Sequence, residues 1–168
     1  MIRMITTFFG VGRLPVAPGT WGSLAALIIG WAAAHFVGVW LLAILTALAI
    51  VIGMWACIRD LADRPTEDPS EIVIDEVAGM WIALLFPAVA FAMPDMSMDW
   101  LGPVSMVWPG PIAAFLFFRL FDIRKPWLVG RADRRHDPIG VMLDDIWAGL
   151  FAGLATLAAA ALYHIVLI

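Results

Sequence analysis

Cysteine and charge are what this chain has least of. Its 168 residues include one cysteine, Cys57, so no disulfide can form within the chain and the redox compartment stays open. The three histidines, His35, His136 and His164, are scattered. No Ser–His–Asp order, cysteine nucleophile or zinc spacing stands out, which argues against triad chemistry and structural zinc. Only 14 % of residues are charged and the formal net charge is −4, which argues against a nucleic-acid partner. Low-complexity tracts are missing. The early stretch MIRMITTFFGVGR is short, broken by glycine and interrupted by Arg13, so it does not read as a secretory signal.

Apolar side chains fill the space that charge leaves. They make up 63 % of the chain, against roughly 45–50 % in a soluble domain. The nine tryptophans favour a membrane–water interface. The length suits one domain over 1–168. The expected fold is all-α: a multi-helical integral membrane protein with about five hydrophobic helices, some of them short, re-entrant or interfacial.

The first apolar run, Trp21 to Ile58, is interrupted only by His35. As one helix it would extend ~57 Å, about twice the ~30 Å hydrocarbon core. It must fold back, and a turn is expected near His35–Gly38. The second arm, Val39–Ile58, can span; the first, about Leu24–Ala34, would reach only ~16 Å. Pro65 and Pro69 break the polar segment Arg59–Glu76. Val77–Met93 is apolar, with a kink expected at Pro87. A Pro/Gly-rich connection, Pro94–Pro111, leads to a short helix over Ile112–Phe121, entered from as early as Val104. After the polar segment Asp122–Asp145, the run Ile146–Ile168 is long enough to span with tilt.

The ten Lys and Arg residues fix an expected orientation. If the turn at 35–38, the loop at 94–111 and the C-terminus share one side, every Lys and Arg falls on the other. That side is cytoplasmic by the positive-inside rule, and the outer side keeps only Asp95 and Asp99 as acids. The segments 59–76 and 122–145 then meet at one cytoplasmic face.

Two acidic pairs lie on that face, each directly before an apolar run: Asp75–Glu76 and Asp144–Asp145. Acids at a helix start interact well with the macrodipole, which gives a structural reason for either pair alone. Four carboxylates on one face repel one another, and a hard divalent cation such as Mg²⁺ would relieve that. Adjacent helical residues point about 100° apart, so the two members of a pair are not expected to chelate one ion alike. Arg119, Asp122 and Lys125 follow at helical spacing, placing a guanidinium, a carboxylate and an ammonium on one face. Arg suits bidentate phosphate contacts and Lys a point charge; an internal ion pair is the simpler alternative. Pro126 should end that helix at Lys125. Before the first arm, PVAPGTWGS offers Thr20 or Ser23 as a helix cap, and its glycines leave backbone N–H groups open to an anion. His136, eight residues before Asp144, offers a proton donor, with a solvated loop histidine as the simpler alternative.

The stretches PVAPGTWGSLAAL (15–27), IVIDEVAGMW (72–81), FFRLFDIRKPW (117–127) and GVMLDDIWAG (140–149) together resemble the phosphatidylglycerophosphatase A family, over roughly residues 10–155. The resemblance implies a Mg²⁺-dependent, multi-pass enzyme of the bacterial inner (cytoplasmic) membrane with its active site facing the cytoplasm. Such an enzyme hydrolyses the membrane phospholipid phosphatidylglycerophosphate to phosphatidylglycerol and inorganic phosphate. It implies metal ligation by Asp75, Glu76, Asp122, Asp144 and Asp145. Catalysis would fall to Asp75, Glu76, Asp122, Arg119 and Lys125, and phosphate binding to Arg119 and Lys125, with Thr20 and Ser23 beside them. One departure is visible: relatives often carry His-Gly-Gly-x-Gly where this chain reads His136-Asp137-Pro138-Ile139-Gly140.

Three other readings compete. A CDP-alcohol transferase would need a longer acidic pattern that is missing. A histidine-based lipid phosphatase would need two histidines on the site face, where only His136 falls. A non-enzymatic transporter would place polar ligands near the bilayer midplane, whereas these sit at helix ends.

Overall fold

The computed structural model describes residues 1–63, 69–92, 109–135 and 137–167. His136, Asp95, Asp99, the side chain of His164 and the expected entry at Val104 lie outside them. Seven helices and no strand occur among the described residues: α1 (Ile2–Thr6), α2 (Pro18–Phe36), α3 (Val39–Asp60), α4 (Ile74–Ala92), α5 (Gly110–Arg124), α6 (Trp127–Asp133) and α7 (Pro138–Leu167). Five are apolar, and α1 and α6 are short. Three are long and apolar enough to cross a membrane: Val39–Asp60, Ile74–Ala92 and Pro138–Tyr163.

The expected turn between the first two arms is present. Gly38, at φ 140°, precedes α3 in a conformation that a side chain would strain. The first arm is longer than the sequence suggests. α2 has 19 residues rather than the expected Leu24–Ala34, which makes it ~28 Å long. The reason is local: Pro18 occupies the first helical turn, where its missing N–H costs nothing. Consequently neither Thr20 nor Ser23 caps this helix; both lie inside it, and Ala17 is the capping residue.

α4 is the centre of the bundle. It contacts α2, α3, α5 and α7, and 67 % of its apolar window is buried, against 33 % in α3 and 28 % in α7. It continues as helix through Pro87. Its most extensive partner is α7, and the two meet backbone to backbone. A Cβ on Gly149 would lie 2.3 Å from the Gly79 carbonyl oxygen, and one on Gly79 would lie 2.5 Å from that of Asp145. Gly153 admits the Phe86 ring in the same way. Small residues at such spacing let helices approach closely where lipid offers no hydrophobic drive for association. α2 closes another side of α4: Trp81 Nε1 donates to the Ala26 carbonyl at 2.8 Å, and Gly22 and Gly30 pack on Val73 and Trp81.

α7 also begins earlier than expected. It starts at Pro138 rather than Ile146, so Asp144–Asp145 stands in its second turn and does not open the helix. Asp137 supplies the start signal, its Oδ1 accepting from the Gly140 N–H at 2.6 Å. The Asp-Pro pair that replaces two glycines therefore works as a cap followed by a proline at the first helical position.

Candidate active site

The α4–α7 crossing decides the geometry of the acids. Asp75 precedes Gly79 by one helical turn, and Asp145 precedes Gly149 by one turn. Backbone contact at the glycines thus brings the two acidic turns side by side. One carboxylate oxygen from each of Asp75, Glu76 and Asp145 lies within 4.8 Å of the other two. All three side chains are at least mostly buried. The adjacent acids of the first pair thus each bring one oxygen to a common point. Glu76 is one methylene longer than Asp75, and that length covers the angle between them.

The second pair divides. Asp145 joins Asp75 and Glu76, whereas Asp144 Oδ2 accepts from Lys125 Nζ at 2.9 Å. The same ammonium also pairs with Asp133 of α6. Lys125 has left-handed backbone geometry (φ 45°) just beyond α5, so it departs from the helical face expected to carry Arg119, Asp122 and itself. Pro126 disfavours the α-helical region at the preceding residue, which accounts for the departure. Burial would lower the Lys125 pKa, but hydrogen bonds to Asp133 and Asp144 outweigh it, and the ammonium is held well above its ordinary value.

Arg119 and Asp122 remain on one face of α5. Arg119 Nη1 lies 2.5 Å from Asp122 Oδ2 and donates to Ser23 Oγ at 3.3 Å. Ser23 in turn donates to the Gly19 carbonyl at 2.7 Å. α2 therefore reaches the site through Gly19 as well. A Cβ there would fall 2.0 Å from Glu76 Oε1 and 3.5 Å from Arg119 Nη1. Burial raises the Asp122 carboxyl above its ordinary range, against the pull of Arg119 and Lys125 and a hydrogen bond shared with Asp145. Thr20 is half-buried in the first turn of α2.

Three polar atoms in this cluster are buried without a hydrogen-bond partner: Glu76 Oε2, Asp145 Oδ1 and Arg119 Nε. A buried acceptor left unpaired costs about 1–3 kcal/mol, more when charged. Two orphaned carboxylate oxygens beside a third acid fit a hard cation that takes oxygen ligands. The orphaned guanidinium N–H faces the opposite need, for an anion.

Sequence reasoning missed three contributors. Asp133 gave no signal, since nothing in its spacing ties it to Lys125. Gly19 was read only as an open backbone. The Gly149-xxx-Gly153 spacing was the available sign of a close helix crossing.

The chain's similarity to known proteins agrees with this arrangement. A family model described as phosphatidylglycerophosphatase A matches residues 4–160. A Haemophilus influenzae protein named phosphatidylglycerophosphatase A is 35 % identical over 158 residues, covering 94 % of this chain and 87 % of that protein. A protein of the same name from Escherichia coli is 34 % identical, over 89 % of this chain and 78 % of that one. A Bacteroides thetaiotaomicron protein, provisionally named a phosphatidylinositol-3-phosphatase, is 40 % identical over 89 % of this chain and 87 % of its own. No solved structure matches. With a family model spanning nearly its whole length and relatives above 30 % identity, the chain belongs to the phosphatidylglycerophosphatase A family.

Proposed function

We propose that this phosphatase hydrolyses the terminal phosphomonoester of phosphatidylglycerophosphate, with Mg²⁺, at the cytoplasmic face of the bacterial inner membrane. The observation that carries the reading is the convergence of Asp75, Glu76 and Asp145 beside the Arg119 guanidinium. The charge distribution along the sequence supports the cytoplasmic orientation.

The residues divide the work. Asp75, Glu76 and Asp145 would hold the metal, with Asp122 adjoining through Asp145. When bound, Mg²⁺ supplies positive charge to the phosphoryl oxygens, as in other phosphoryl transfers. Arg119 orients the phosphate by donating from its unpaired Nε–H and offsets the charge that builds on the equatorial oxygens. Asp122 and Ser23 hold that guanidinium in place. Lys125 binds Asp144 and Asp133 and lends positive charge to the same face. Thr20 lines the approach from α2. Water attacks phosphorus, forming one P–O bond as the ester P–O bond breaks. A water proton passes to a site carboxylate, Glu76 or Asp75. The leaving glycerol oxygen takes up a proton from solvent.

The test is release of inorganic phosphate by the purified full chain in detergent, with Mg²⁺ and with chelator. Metal-dependent release from phosphatidylglycerophosphate is expected; no such release sinks the reading. The name of the Bacteroides relative favours a second substrate, phosphatidylinositol 3-phosphate, through the same chemistry. A parallel assay on that lipid ranks the two by kcat/KM. A cysteine placed at Ser97 should react with an external reagent; protection there, with labelling near Asp68, would invert the orientation.

A further inference from the structure

The acidic site occupies one end of α4, α5 and α7. At their other end these three helices separate around a cavity of about 650 Å³, bordered by Ala90 and Phe91 of α4, Gly110 and Ala113 of α5, and Thr156 and Ala160 of α7. That volume falls within the ~300–1,000 Å³ range of small-molecule sites. The change in packing has a local cause. Up to Gly153, the α4–α7 contact is made by glycine against backbone or ring. Beyond it, α7 carries the run Ala158–Ala161 and α4 offers Ala90, so short side chains leave the space between the helices unfilled.

The lining is mostly apolar: Thr156 is satisfied, donating to the Ala152 carbonyl at 2.8 Å, and Tyr163 adds the one other polar side chain. The groove therefore suits hydrocarbon rather than a polar ligand. Ala90 and Ala160 are exposed, so it opens to the surroundings of the bundle. Its depth is set by the helices that carry the acids. Its near edge, Thr156, lies eleven residues beyond Asp145, ~16 Å along α7, and Ala113 lies six before Arg119, ~9 Å along α5. Its far edge, Ala160 and Ala90, lies fifteen residues from Asp145 and Asp75, ~22 Å, within reach of a long acyl chain that enters from the head-group end. One leaflet of the hydrocarbon core is ~15 Å deep.

We propose that this groove binds an acyl chain of the lipid whose phosphate sits at Asp75, Glu76 and Asp145. The inference rests on the lipid-phosphatase reading above. It gives the enzyme a second point of recognition on its substrate, made by the same three helices that hold the head group. Bulk lipid, the other hydrocarbon available, would fill the groove without influencing turnover.

The experiment compares two substrates and two groove-filling variants, Ala90→Phe and Ala160→Trp, whose exposed positions spare the core. Phosphate release is measured from phosphatidylglycerophosphate with sixteen-carbon chains and with six-carbon chains. Loss of binding shared by ground and transition states raises KM and leaves kcat unchanged. KM for the long-chain lipid should therefore rise about tenfold or more, with the short-chain lipid changed by less than about twofold. Unchanged constants for both lipids would assign the groove to bulk lipid and overturn the proposal. Equal losses on both would overturn it in favour of an effect through the fold. A wild type that hydrolyses neither would sink the phosphatase reading, and the groove with it. A readout without turnover guards against misfolded variants: a long-chain substrate with a photoreactive group in its acyl chain should label α5 and α7 around Ala113 and Thr156 in the wild type. Labelling spread evenly over lipid-facing positions would overturn the assignment.

Discussion

The two ends of the α4–α7 pair use small residues for opposite purposes. At the acidic end, Gly79 and Gly149 bring two backbones into contact, and nothing larger than hydrogen fits. At the far end, Ala90 and Ala160 leave a cavity open. The first arrangement fixes the spacing of charged groups to within ångströms. The second fixes no spacing and admits a flexible guest. A small side chain in a membrane helix is thus no signal by itself; what matters is whether the facing helix closes on it or diverges from it.

Several substitutions would break or sharpen that contrast. The largest effect is expected at the acids themselves. Asp75→Asn or Asp145→Asn should lower Mg²⁺-dependent phosphate release by about 10²–10³-fold, the scale seen when one preorganised electrostatic group is removed. Near-normal kcat in both would exclude these carboxylates from metal and water chemistry.

Overpacking the crossing should come next. Gly79→Ala puts a methyl 2.5 Å from the Asp145 carbonyl oxygen, at an expected cost of about 1–3 kcal/mol. Activity should fall with it, since the same displacement separates Asp75 from Asp145. Ala90→Leu at the far end adds bulk to an open groove at little helix-propensity cost and should change the melting temperature far less. Equal shifts for the two would remove the distinction between the ends.

Asp137→Ala deletes the cap of α7 and should cost about 1 kcal/mol in thermal unfolding. The Asp137 carboxyl lies below its ordinary range because Arg135 hydrogen-bonds it. Its cap therefore contributes fully above the ordinary aspartate range and is lost as pH falls through the lowered value. The stability difference between wild type and Asp137→Ala should accordingly shrink in acid; a constant difference down to pH 2 would remove the carboxylate from the cap.

The smallest effect is expected at Asp133, a half-exposed partner of Lys125. Asp133→Asn should cost no more than about 1 kcal/mol, given solvent screening, and lower activity only severalfold. A loss as large as that of Asp75→Asn would move Asp133 and Lys125 into the reacting centre.

Much of the fold was legible because the bilayer constrains the pattern so strongly. Run lengths and Gly38 marked the α2–α3 turn, and the apolar windows marked α3, α4 and α7. The boundaries that were missed each have a physical cause. Pro18, Gly19 and Gly22 look like loop residues until α4 is present to pack against them. The start of α7, with Pro138 and Gly140 in its first turn, resembles a connection until Asp137 is seen to cap it. The candidate site was legible as a set of residues and not as an arrangement. Nothing in Asp144–Asp145 foretold that one member would face Asp75 while its neighbour turned to Lys125.

The sequence by itself determined the membrane character, the all-helical class, the family and which carboxylates and cations gather toward one face. Those follow from composition, hydrophobic run length and short motifs, all local properties. Only the tertiary structure decided which acids share a centre, that Lys125 is engaged by Asp133 and Asp144, and that α4, α5 and α7 part around a groove. Those depend on where α4 and α7 cross, and the crossing is set by glycine contacts between residues seventy positions apart in the chain.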